Sequence, residues 1–172
     1  SKTAPVSHEP AVADAISNLQ KLLDDPTSTT KSIADATQAL RDAVATAQPL
    51  RDAANEAADA ATAAVPTDLA KEPTVQAALD ALDEIQKQAA ADQDGNLTKD
   101  IEAATKALQD AITNANTSRE AARDAANDLM GKTAPVSHET NGATAKDALQ
   151  KLLDDSTSTT ADIENATAAL RD

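Results

Sequence analysis

Three groups of residues combine types and spacings that chemistry could use. The stretch Asp92-Gln93-Asp94-Gly95-Asn96-Leu97-Thr98-Lys99-Asp100 sets oxygen-bearing side chains at alternate positions ahead of a glycine, as a calcium loop does. With Gly95 at the sixth position of such a loop, the first is Ala90 and the twelfth is Ile101, where ligands are required. The stretch therefore reads as a turn followed by a helix capped by Thr98. The two histidines, His8 and His138, stand in equivalent segments beside one glutamate each, too few ligands for a metal and with no nucleophile for catalysis. The paired carboxylates Asp24-Asp25 and Asp154-Asp155 lie beside Thr-rich turns at expected helix ends. An acid–base pair needs a pocket that separates its two pKa values, and short Ala-rich bundles rarely enclose one.

The sequence has no glycine-rich phosphate loop, nucleophile elbow or HExxH. Thr37, Thr46 and Thr62 lack the regular lattice of an ice-binding plane. The expectation is a non-enzyme with no catalytic residue, no metal site and no cofactor; binding residues stay unassigned.

The elements that position these residues are set by a repeat. The stretch Ile33 to Ala58 (IADATQALRDAVATAQPLRDAANEAA) returns without a gap as Ile101 to Ala126 (IEAATKALQDAITNANTSREAARDAA), and its first ten residues return as Ile163 to Asp172. KTAPVSHE at Lys2 to Glu9 recurs at Lys132 to Glu139, and KLLDDPTSTT at Lys21 as KLLDDSTSTT at Lys151. The array is therefore expected to continue past both ends of the chain.

Apolar residues at three- and four-residue steps predict helices. The first carries Val12, Ile16, Leu19, Leu22 and Leu23 on one face and stops at Asp24-Asp25-Pro26; the second has Ile33, Ala36, Thr37, Leu40 and Val44 as its inner stripe. Pro49 marks a joint, where the helix either kinks or restarts. The matching site, Thr117-Ser118-Arg119-Glu120, has the spacing of a capping box. Both are read as starts of new helices, nearly collinear with those before them. The helix after Pro49 is expected to turn Ala53, Ala57, Ala61 and Ala64 inward, and Thr74 to cap the next, whose stripe is Val75, Ala78, Leu79, Leu82, Ile85 and Ala89. Ile101, Ala104, Leu108 and Ile112 line the one after, and Gly131 stops the helix before the second KTAPVSHE segment.

Helices of this length with one apolar face each pack as antiparallel bundles. The expected fold is all-α: tandem antiparallel three-helix bundles joined end to end by near-collinear helices into an elongated rod. Residues 1–48 are read as the last two helices of one module, 49–116 as a complete three-helix bundle and 117–172 as a second.

The 172 residues contain no Phe, Tyr, Trp or Cys. The core is thus left to Leu, Ile, Val and Ala, which bury little area each and give a shallow stability margin at ~25 cal/mol per Å². A net charge of −14 argues against nucleic acid and anionic membrane surfaces and for a soluble, self-repelling chain.

The run from Leu19 to Ala47, with its Asp-Pro-Thr-Ser-Thr-Thr turn and Ile-x-x-Ala-Thr-x-Ala-Leu-x-x-Ala helix, resembles the second half of a FIVAR module; the pattern recurs at Leu82 to Ala115 and Leu149 to Asp172. A period of 130 residues in two helical halves is similar to the Ebh-type repeats of giant staphylococcal extracellular matrix-binding proteins. The resemblance implies a stalk or spacer repeat of a long, cell-wall-anchored adhesin of a Gram-positive bacterium, extracellular and a monomeric rod. It also implies a host extracellular-matrix partner such as fibronectin; the alternative is a helical binding module for a matrix or serum protein. The absence of aromatic residues departs from that family.

Overall fold

The computed structural model describes residues 6–91, 97–132 and 140–171, and among these the protein is all-helical. The helices are α1 (Pro10–Asp24), α2 (Thr30–Ala63), α3 (Pro73–Ala90), α4 (Leu97–Lys132), α5 (Thr140–Asp154) and α6 (Thr160–Arg171). The expected turn at 92–96, His138 and Glu139 lie outside the described residues. Contacts gather the chain into two compact units, Ser1–Ala63 with Asp80–Ala107 and Ala64–Leu79 with Leu108–Asp172.

The joints differ from expectation. The edges at 48/49 and 116/117 are not helix breaks: α2 continues through Pro49 and α4 through Thr117. Thr117 donates its hydroxyl to the Thr113 carbonyl one turn back (3.0 Å), and Asn116 bonds Glu120 (2.9 Å), so the capping-box residues serve the interior of one helix. At Pro49 one backbone bond is lost. Burial on both sides of it, at Ala47 and at Arg51, Ala54, Ala58 and Ala61, keeps the helix in phase. Gly131 likewise falls inside α4.

Continuity also moves the inner stripe. Ala54 and Ala58 are buried, whereas Ala53 and Ala57 are exposed. The buried positions 47, 51, 54, 58 and 61 step by four and three, a spacing that carries over unbroken from α2's first half. The stripes of α3 and α4 are as expected: Val75, Leu82, Ala89, Ile101 and Leu108 are buried, and Ala78, Leu79, Ile85, Ala104 and Ile112 are half-buried.

In the first unit α1 packs on α2, with Val6, Val12 and Ala47 at the heart of the contact and Leu40 and Ala43 against them. In the second, α5 packs on α6, and Ala122 and Ala126 of α4 complete a cluster with Leu149, Leu153 and Ile163. The α1 stripe is only partly covered. Ile16, Leu23 and Val44 stand exposed. Leu23 is 56% exposed where its repeat counterpart Leu153 is 6% exposed.

Truncating Leu153 to Ala should therefore cost about 2–5 kcal/mol, whereas Leu23→Ala should stay within about 0.5 kcal/mol. Urea unfolding followed by circular dichroism compares the two; equal costs would show that the two copies are packed alike.

Candidate functional site: buried arginines at helix starts

Two short segments of the same pattern begin helices in the two units. Val6-Ser7-His8-Glu9-Pro10-Ala11-Val12 leads into α1, and Leu69-Ala70-Lys71-Glu72-Pro73-Thr74-Val75 into α3. In both, the glutamate N–H bonds back three residues, Glu9 to the Val6 carbonyl (3.1 Å) and Glu72 to Leu69 (3.0 Å). Its own carbonyl accepts the first helical bonds, from Val12 and Ala13 and from Val75 and Gln76. Proline follows at the first helical position, where a missing N–H costs nothing. Thr74, expected to cap α3, is therefore inside it.

The carboxylate of this glutamate is turned away from its own helix. Glu9 makes no side-chain cap on α1; its Oε1 instead accepts the Thr98 N–H (3.0 Å) and hydroxyl (2.7 Å) at the start of α4. Glu72 Oε1 does the same for α6, accepting the Thr160 N–H (2.7 Å) and hydroxyl (2.8 Å). The first four N–H groups of a helix lack intrahelical partners, and the positive end of the helix dipole favours a carboxylate there. Thr98 thus lies within the first turn of α4, and Glu9 supplies the cap.

Each unit also buries an arginine. Arg51 interrupts the Ala stripe of α2 and is 1% exposed. Its Nε donates to Thr98 Oγ1 (2.9 Å), one terminal nitrogen to the Ala89 carbonyl at the end of α3 (3.4 Å), and the other to Glu9 Oε1. Glu9 and Arg51 form a buried ion pair. In the second unit Arg119 sits in the matching stripe between buried Ala115 and Ala122. It donates to the carbonyls of Asp68 and Ser156, with the Asp68 carboxylate 3.8 Å away. Arg123, one turn on, donates to the Leu153 carbonyl near the end of α5, and Lys71 to Thr157 Oγ1 (3.0 Å).

Burial pushes the Glu9 carboxyl up, the largest single influence; the hydrogen bonds from Thr98 and Arg51 and the Arg51 charge together outweigh it and hold the group below the ordinary glutamate value. The paired carboxylates have a different use. Asp25 accepts the Thr27 N–H (2.8 Å) and hydroxyl (2.7 Å), and Asp155 those of Thr157 (2.8 and 2.9 Å), which draws both below the usual aspartate range. Their neighbours Asp24 and Asp154 accept from Gln20 and Gln150. Asp162 is lowered by the Thr159 hydroxyl and N–H in a capping box at α6. His8 occupies the turn ahead of Glu9.

The sequence reading missed Glu9, Arg51, Glu72, Arg119 and Thr160. The available signal was Glu-Pro-x-Val at 9–12 and 72–75, with a lone arginine at the same place in both Ala stripes. In chemical terms the arrangement fastens helix ends. Among the described residues no cluster of three or more potential metal ligands is present, and no helix is long and apolar enough to cross a membrane. No family model, curated protein or solved structure matches the chain.

Removing one partner of a buried ion pair leaves the other unpaired, so Arg51→Ala should destabilise the first unit by about 3–5 kcal/mol. Arg51→Lys should recover only part, since an ammonium cannot serve Glu9, Thr98 and Ala89 in one fixed fork. Hydrogen exchange at α1 and α4 amides reads both. The depressed Glu9 pKa gives a signed pH dependence. Its stabilisation is fully present above the unfolded glutamate value, about 4.3, and is lost as pH falls through the lower folded value. The stability gap between the wild type and Glu9→Gln should be constant near neutrality and close below about pH 4. A gap that widened on acidification would contradict the assignment.

Proposed function

We propose that this chain is a structural spacer, a stalk segment built of tandem helical modules in a bacterial cell-surface adhesin. The observation that carries the reading is a recurrence: in both units a Glu-Pro helix start sends its carboxylate to cap another helix, and a buried arginine in the Ala stripe bonds main-chain carbonyls of other segments. The polar groups with unusual environments are thereby engaged in helix ends rather than gathered around a substrate. In this reading the protein is not an enzyme, and its modules are three-helix bundles strung into a rod. Long helices support that role: α2 and α4, of 34 and 36 residues, each extend roughly 50 Å at 1.5 Å per residue. The FIVAR-like and Ebh-like pattern favours an extracellular, wall-anchored location in a Gram-positive bacterium.

A second reading has an observation of its own. Leu50 is 57% exposed beside a shallow groove of about 400 Å³ that Pro10, Ala11, Ala43 and Ala47 line, with Lys99 and Glu102 among its charged residues. A largely apolar floor suits an amphipathic segment of a matrix protein such as fibronectin, and an array raises avidity through multivalency.

Small-angle scattering should give a maximum dimension far above that of a sphere of equal mass; a compact globule would sink the spacer reading. Immobilised fibronectin offered micromolar protein in moderate salt should retain little under the spacer reading. Saturable retention that Leu50→Asp abolishes would favour the binding module.

A further inference from the structure

The two copies of one surface differ in what lies on them. Lys21–Thr30 and Lys151–Thr160 differ in sequence only at Pro26 and Ser156. In the second unit this surface is covered. Leu149 and Ile163 are fully buried and Leu153 nearly so, under Ala122 and Ala126 of α4, with Met130 packed against the cluster. The same helix places Arg123 on the Leu153 carbonyl and Arg119 on that of Ser156, so two guanidinium groups four residues apart satisfy the end of α5. In the first unit the counterparts Leu19 and Ile33 are only half-buried and Leu23 stands out in solvent. Beside them, the Thr157 bonds and then the charges of Lys71 and Arg119 hold the Asp155 carboxyl below its ordinary value, while for Asp25 the Thr27 bonds do so.

We propose that the Leu19–Leu23–Ile33 face of α1 and α2 is an acceptor site for one kind of occupant: an Ala-faced helix with two arginines four residues apart, of the chemistry of Ser118–Lys132. The occupant is fixed by the other unit, where that chemistry covers the same residues. Alanines let the helix approach the leucines closely, the arginines reach the carbonyls of Leu23 and Pro26, and the acidic Asp24-Asp25 corner complements their charge. The inference rests on the comparison of the two copies and stands whether or not the chain is a spacer.

The test is a titration of the full methyl-labelled chain with a terminally blocked peptide of residues 118–132. Saturable shifts are expected at Leu19, Leu23 and Ile33 methyls, with those of Leu153 and Ile163 unmoved. Leu23→Asp in the chain, or alanine at both peptide arginines, should weaken binding at least tenfold. An isolated helix of this length is marginal in water, so the same fifteen residues are also joined ahead of Ser1 through a flexible linker. Protection of the Leu23 and Ile33 amides in that fusion supports the proposal even where the free peptide binds weakly. Lack of response in both forms overturns it, as do shifts centred on Leu153 and Ile163. A dimer in sedimentation that Leu23→Asp dissolves also overturns it, because the occupant is then a second copy of the face itself.

Discussion

A guanidinium placed in a stripe of alanines is the constraint on which this structure turns. Alanine brings helices close but reaches nothing, and a bundle built from it has little area to bury. Arg51 crosses that gap: from one buried position it meets the beginning of α4, the end of α3 and the carboxylate ahead of α1. A charge in such a place is tolerable only when every donor finds an acceptor. Helix ends supply the acceptors, since their terminal carbonyls and threonine hydroxyls have no partner within the helix. The scarcity of large apolar side chains and the polarity of helix termini are thus resolved by the same contact.

The second unit uses the idea with a different wiring. Glu72 still caps α6, as Glu9 caps α4, but Arg119 turns to main-chain carbonyls, and Arg123, whose counterpart is Asn55, adds a second donor. What the units keep is the rule that a helix start is satisfied by a carboxylate from another segment and a buried arginine serves nearby ends. Geometry of this kind holds elements in register, and that supports the proposed mechanical role.

Much of the architecture was legible in the residues. The periodic stripes of α3 and α4, the stop at Asp24, the Thr-rich turns and the repeat follow from local rules of spacing and capping, and they stand where those rules put them. The joints did not. Proline and a capping-box spacing both announce a helix start, yet α2 and α4 run on, because tertiary burial on either side outweighs one lost bond or one alternative cap. The inner face after Pro49 differs from expectation for a related reason: almost every apolar residue there is alanine, so hydropathy gives little contrast between faces, and continuity with Ala47 sets the phase.

The sequence by itself determined that the chain is helical, repetitive, acidic and without aromatic residues, because composition and periodicity are properties of each segment alone. Tertiary structure decided which of two closely similar surfaces is covered and which arginine meets a glutamate. It also decided that Thr98 receives its cap from a residue 89 positions away. Those outcomes depend on which segments meet in space, and no local pattern encodes a meeting between segments so distant in the chain.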